Sequence, residues 1–302
     1  MKEKVRLNAA EKTAEYIVSL LAVIAVFAVC AITAYMIAKG TPALVSVGVP
    51  ELLFGTVWKP TASEAAYGIF YIIFTSIVGT GASVFIGVPI GLLTAVFLTE
   101  IAGKKITAFV EPAVELLAAI PSVIYGLLGM MILNPFMYKL EKYIFRNSET
   151  HQYTGGSNLM SAILVLAIMI LPTVVNVSAS SIRAVSKDLR AASLALGASR
   201  IETIFKVTIP AARSGIMTGV VLGVGRALGE AMAINMVAGG SVNIPLPFNS
   251  VRFLTTQLVS EMGYAEGIHR QVLFTVGLVL YIFIMIVNLI LQKLRKEADE
   301  DE

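Results

Sequence analysis

The sequence predicts an all-α membrane protein with about six transmembrane helices, and three observations lead there. Hydrophobic residues make up 57% of the 302 residues and charged residues only 14%, whereas soluble domains carry roughly 25% charge. The mean hydropathy is +0.81. The apolar residues gather into six runs, each near or above the ~20 residues a helix needs to cross a ~30 Å hydrocarbon layer. These runs are 16–38, 69–98, 112–133, 159–179, 215–238 and 271–292.

The first run follows Lys2, Lys4, Arg6 and Lys12, as the core of a signal peptide would. It is longer than such a core, and no small-x-small cleavage pattern follows it, so it reads as an uncleaved helix. The second run is too long for one straight span. Gly79, Gly81, Gly87, Pro89 and Gly91 predict that it kinks, runs obliquely or lies partly in the interface.

The third run places Pro121 mid-span, in Glu115-Leu-Leu-Ala-Ala-Ile-Pro-Ser-Val-Ile-Tyr-Gly126. A proline there removes one backbone hydrogen bond and frees a carbonyl, which is tolerated where it lines a cavity. Ser122 and Tyr125 put hydroxyls beside it. A plain kink in a packed bundle accounts for this segment equally well. Glu111 and Glu115 fall near the cytoplasmic end and read as solvated. The fourth and sixth runs qualify on length and apolar content.

The fifth run carries Gly225-Arg226-Ala227-Leu228-Gly229-Glu230. An arginine at a helix centre costs at least ~2.5 kcal/mol on insertion scales. Spaced i,i+4, Arg226 and Glu230 are expected to share a helical face and neutralise each other. Gly219, Gly223, Gly225 and Gly229 keep the helix thin, so that another backbone can approach. A planar guanidinium matches the oxygens of an oxyanion and never loses its charge. The same pair also fits a structural role in helix packing.

Lys and Arg between the runs set the expected orientation. With the N-terminus in the cytoplasm, the inside segments hold four, two, six and three of them, and the outside segments two, three and two. Fifteen against seven, with Arg226 inside a run, favours both termini on the cytoplasmic side. No soluble domain boundary is visible. Residues 1–15 read as a cytoplasmic segment, 16–292 as one membrane domain and 293–302 as an acidic, disordered cytoplasmic tail.

The inside segment 187–210 reads as two short amphipathic helices around a turn. Leu189, Ala192 and Leu196 fall on one face, and Gly197 permits the turn. Ser199 and Glu202 have capping-box spacing, with Ile201, Ile204 and Phe205 as the apolar face of the second helix and Pro210 as its end. Such a protrusion can dock in a partner's cleft, and an ordinary connecting loop has the same features. Outside, residues 252–263 have Leu254 and Leu258 at helical spacing. With Trp58-Lys59-Pro60-Thr61 they offer aromatic and basic groups for a soluble partner or for interfacial anchoring.

Several chemistries are disfavoured. Cys30 stands alone and the two histidines, His151 and His269, lie far apart, so no metal-ligand spacing exists. The runs lack the convergent groups a membrane-embedded enzyme would need. A net charge of +3 is too small to suggest nucleic acid. No Gly-x-x-x-x-Gly-Lys-Ser/Thr stretch occurs to cradle nucleotide phosphates, so no cofactor is expected on this chain. A secondary anion transporter would want a buried arginine too, but usually shows an internal repeat, and neither the Arg226 segment nor the 187–210 loop is duplicated.

The 187–210 segment resembles the coupling loop of ABC importer permeases, in Ala191-Ala192-Ser193, Leu196-Gly197-Ala198 and Val207-Thr208-Ile209-Pro210. It departs at Ser193, where that family often has Ala, and at Ala191, where it often has Glu. Over nearly its whole length the chain is similar to the phosphate-specific permeases of the PstC type. The similarity rests on 58–61, 115–126, Ile168 to Pro172, 187–210, 225–230 and 261–263. The resemblance implies a type I ABC importer permease (MetI-like) fold and half of a phosphate path through Arg226, Glu230, Gly225, Gly229, Pro121 and Ser122. It implies ATPase coupling through Ala191, Ala192, Leu196, Gly197, Ala198 and Pro210. It also implies a PstA-type permease partner, a PstB-type ATPase dimer that hydrolyses the ATP, and an extracytoplasmic PstS-type phosphate-binding protein. The same physics would serve sulfate or molybdate.

Overall fold

In the computed structural model, residues 2–300 are described, with side chains over 12–296. The chain is helical almost throughout. Helix α1 (Lys2–Val47) is followed by the short α2 (Val49–Phe54) and a two-stranded hairpin, β1 (Trp58–Lys59) and β2 (Ala66–Tyr67), which pairs Trp58 with Tyr67. Helix α3 (Phe70–Val96) continues into a π-helical turn, Phe97–Ile101. Next come α4 (Lys104–Ala119), α5 (Ser122–Leu128), a second π-helical turn (Gly129–Leu133) and α6 (Asn134–Ile144). Helix α7 (Leu159–Ala184) leads to α8 (Lys187–Ala195), α9 (Arg200–Thr203), a third π-helical turn (Ile204–Thr208) and α10 (Ile209–Ala211). Helices α11 (Arg213–Gly229), α12 (Met232–Val237), α13 (Leu254–Glu261) and α14 (Gly267–Glu300) complete the fold.

Among the described residues five helices are long and apolar enough to cross a membrane, and the count is six if a pair bent by 69°, Arg200–Ala211 with Arg213–Gly229, is one span. The core is built on α7, which packs along α3 and α11. Its inner face joins Leu166, Met169 and Ile170 to Ala227, Ile234 and Phe253. Helix α1 packs on α14, where Tyr35 meets Phe274 edge-on and the Thr275 hydroxyl donates to the Gly40 carbonyl at 2.9 Å.

Several expectations are corrected. The second run forms one helix, α3, that continues through its glycines and Pro89. Gly79, Gly87 and Gly91 mark close approach, since a Cβ on Gly87 would lie 2.6 Å from Ile170, on Gly91 2.9 Å from Val174 and on Gly79 2.4 Å from Phe253. The third run is cut at Ile120–Pro121, so that the spanning helix is Ser122–Ile144 and α4 is separate. The fifth run is cut at Glu230–Ala231. Pro210 does not end a helix. It sits at the start of α10 after a π-helical turn, and the break follows at Ala212. The backbone of the acidic tail is helical to Glu300, in keeping with its helix-forming Lys, Glu and Ala, while residues 301 and 302 lie outside the described residues.

Candidate functional site

Helix α11 has two unlike sides. Gly219 and Gly223 face α7, where an added Cβ would lie 3.2 Å from Val177 and 3.0 Å from Val174. Gly225 and Gly229 face open space, with nothing within 4 Å of such a Cβ. Arg226 stands between them, half-buried, and makes no hydrogen bond or ion pair among the described residues.

The expected pairing of Arg226 with Glu230 is not made. Helix α11 ends at Gly229 and Glu230 is extended, with ψ 126°, so the i,i+4 geometry of a continuous helix is lost. The buried Glu230 carboxylate turns the other way and accepts from the Ala233 N–H at 2.8 Å, capping α12. Its backbone carbonyl accepts from the Thr255 hydroxyl at 2.8 Å.

Pro121 produces a second break rather than a mid-span kink. A residue at 121 in a continuous helix would donate to the Leu117 carbonyl. Proline has no N–H to do so, and the Tyr125 hydroxyl donates to that carbonyl at 2.7 Å. Ser122, half-buried, starts α5. Helices α5 and α12, which follow the two breaks, pack tightly together. A Cβ on Gly126 would come within 2.8 Å of the Met236 sulfur and 2.9 Å of the Ala233 Cα. Tyr125 shares a buried cluster with Ala227 and Ala233, and the Arg226 guanidinium lies within electrostatic reach of its hydroxyl. Pro121 and Ser122 thus start a helix that neighbours the one capped by Glu230. Non-helical backbone at membrane depth survives only inside protein or beside a water-filled path.

The 187–210 segment folds as two helical pieces around Gly197, whose φ is +89°. Ser199 and Glu202 form the expected capping box. Hydrogen bonds from Ser199, backbone first and then side chain, together with Lys206, hold the Glu202 carboxyl below its ordinary range. The apolar residues divide between two sides. Ile204 is buried against Ala95, Val96, Ile182 and Ile216, so it does not share a free face with Ile201 and Phe205. Leu189, Leu194, Ile201 and Phe205 point outward, and Leu196 is 90% exposed. Ala191, Ala192, Gly197 and Pro210 are exposed and Ala198 is half-buried. Five large apolar side chains of this segment are thus exposed, and large exposed apolar patches are a feature of interaction sites.

Two further clusters bring together charges whose pairing was not legible in the sequence. Glu111, expected to be solvated, pairs with Arg183, and both line a cavity of about 150 Å³ with Glu115 and Asn176. At the opposite end of the molecule Glu261, Arg252, Trp58 and His269 converge beside a cleft of about 580 Å³ lined also by Lys59 and Thr61. Segments 58–61 and 252–263 were grouped on one outer face from sequence, and a charge at the edge of an apolar run was the available signal for Glu111.

Residues 87–296 match the family model described as binding-protein-dependent transport system inner membrane component. The chain is 39% identical to the probable ABC transporter permease protein YqgH of Bacillus subtilis, covering 90% of this chain and 88% of that one. It is 34% identical to the phosphate transport system permease protein PstC of Haemophilus influenzae, covering 81% and 80%. Among solved structures, a bacterial ABC transporter involved in import of the acidic polysaccharide alginate is similar in fold, with a TM-score of 0.61, 16% identity and coverage of 92% and 95%.

Proposed function

The chain belongs to the family of binding-protein-dependent transport system inner membrane components, and on that premise we propose that it forms half of the phosphate path of an ATP-driven importer. Family membership makes it a multi-pass permease subunit of an ABC importer, in the inner membrane, with the MetI-like fold. The observation that carries the finer reading is Arg226. An unpaired guanidinium between two glycines, on the open side of a spanning helix, is costly unless an anion or a partner chain completes it. Its fork suits phosphate oxygens, and relatives such as the Haemophilus influenzae protein are named phosphate permeases.

In this reading a PstA-type permease supplies the other wall of the path. A PstB-type ATPase dimer binds and hydrolyses the ATP, and this chain holds no cofactor. The outward apolar face of 187–210 docks on that ATPase, both termini lie in the cytoplasm, and a PstS-type binding protein delivers phosphate to the opposite side. Ala191, Ala192, Leu196, Gly197, Ala198 and Pro210 shape the docking loop. Arg226, Gly225, Gly229, Pro121 and Ser122 line the path, and Glu230 shapes it by capping α12.

The test is ATP-dependent uptake of labelled phosphate into vesicles containing the chain with its partner permease, ATPase and binding protein, with sulfate as competitor. Uptake that needs ATP, ignores sulfate and is lost in an assembled Arg226→Ala variant supports the proposal. Inhibition by sulfate reassigns the substrate to another oxyanion, and uptake without ATP sinks the importer reading.

A further inference from the structure

Glutamates of α3 and α4 meet arginines of the following inside segment. Glu100, in the π-helical end of α3, pairs with Arg190 of α8 at 2.9 Å. The Glu100 backbone carbonyl accepts from Arg200 of α9 at 3.2 Å. Arg190 also donates through its second terminal nitrogen to the Ile182 carbonyl, near the end of α7, at 2.6 Å. Glu111 of α4 pairs with Arg183 on the last turn of α7. Beneath these charges lies the apolar cluster that seats Ile204 against Ala95 and Val96.

The Glu100–Arg190 pair is well shielded, its carboxylate side chain 11% and its guanidinium side chain 25% exposed. Salt screens such a pair much less than an exposed one, and removing one partner strands the other. Arg190 is further fixed by its bond to the Ile182 carbonyl, while the contact with Glu100 Oε1 is an ion pair rather than a hydrogen bond. The attached helix α3 runs along α7 with Gly87 and Gly91 in close contact, so displacement of its end reaches the centre of the bundle.

We infer that Glu100 is the positioning residue that ties the docking loop to α3. When the ATPase displaces the loop, the Arg190 pair and the Arg200 bond carry α3 along with it. Without them the loop slides over the end of the helix and the motion is lost. Coupling between distant sites needs a physical element that both sites bias, and a loop joined at two points to a spanning helix is one. The inference rests on the reading of 187–210 as the ATPase contact.

The test uses the complete importer in vesicles and reads phosphate moved per ATP hydrolysed. Glu100→Gln removes the charge and leaves the backbone bond to Arg200 available. In an assembled complex that still hydrolyses ATP, uptake per ATP is expected to fall about tenfold, within the span that coupling residues carry. The reversed pair, E100R with R190E, is expected to recover part of it. An unchanged ratio in Glu100→Gln overturns the inference. So does a reversed pair no better than R190E alone, the variant that shares its loss of the Ile182 bond.

A second arm needs neither phosphate transport nor a Glu100 variant. Spin labels at Lys104→Cys and Lys187→Cys, in a Cys30→Ser background, are compared with labels at Lys187→Cys and Leu294→Cys before and after nucleotide trapping. A constant first distance with a changing second one supports the tie. A first distance that changes as much as the second, or a loop that does not move against α14, overturns it. Wild-type vesicles that take up no phosphate sink the substrate proposal and leave this arm decisive.

Discussion

The indole N–H of Trp58 donates to the Glu261 carboxylate at 3.1 Å, joining residues 203 positions apart in the chain. Arg252 and His269 approach the same carboxylate, the latter at 2.8 Å. Arg252 is itself held by the Gly240 carbonyl at 2.6 Å and the Gln257 amide oxygen at 3.0 Å. One buried carboxylate thus binds the β1–β2 hairpin, the loop after α12, α13 and the start of α14.

Glu261→Gln is expected to lower the stability of the detergent-solubilised protein by about 3 kcal/mol, because a shielded arginine loses its counter-charge. Thermal unfolding measures the loss, and Trp58→Phe is expected to cost less. Equal stability of wild type and Glu261→Gln would show that solvent already satisfies Arg252.

Glu230 acts as a cap, so its two variants should separate. Glu230→Gln keeps an amide oxygen for the Ala233 N–H and is expected to stay near wild-type stability. Glu230→Ala loses the cap and about 1 kcal/mol. Were Glu230 the counter-ion of Arg226 instead, the glutamine variant would be as damaging as the alanine one.

Gly225→Ala and Gly229→Ala are expected to fold and assemble normally, since an added Cβ would meet nothing at either position. Loss of phosphate uptake in these stable variants, alongside Arg226→Ala, would mark this side of α11 as the path. Gly126→Ala is expected to destabilise by about 1–3 kcal/mol, because its Cβ would press on the backbone of Ala233 at 2.9 Å.

Tyr125→Phe removes the shorter of two bonds to the Leu117 carbonyl, leaving only the Ile120 N–H at 3.3 Å. The expected cost is about 1 kcal/mol, seen as a lower unfolding temperature and faster amide exchange around residues 117–124.

The Glu202 carboxyl is held below its ordinary value by Ser199 and Lys206, so its folded pKa lies under its unfolded one. The second helical piece is therefore fully supported above the ordinary carboxylate pKa, and the support is lost as pH falls through the folded value. Amide exchange over 199–205 is expected to accelerate in that acid window. Ser199→Ala should accelerate it already at neutral pH and flatten the pH dependence.

What the sequence determined by itself is local or compositional. Too little charge to cover a water-facing surface names lipid as the solvent, and run length counts the spans. The turn at Gly197 and the capping box of Ser199 with Glu202 were readable because each depends on residues a few positions apart. Tertiary structure alone decided where helices stop and which charges meet. Propensity would carry a helix through residue 230, but the packing of α5 on α12 turns Glu230 away from Arg226 to cap the new helix. Pro121 announced a lost hydrogen bond, and only the fold supplied the Tyr125 hydroxyl that replaces it. Trp58 with Glu261 and Glu100 with Arg190 are pairings between segments far apart in the chain. Their partners follow from which helices lie side by side, and that is set by the summed packing of the bundle rather than by any window of sequence.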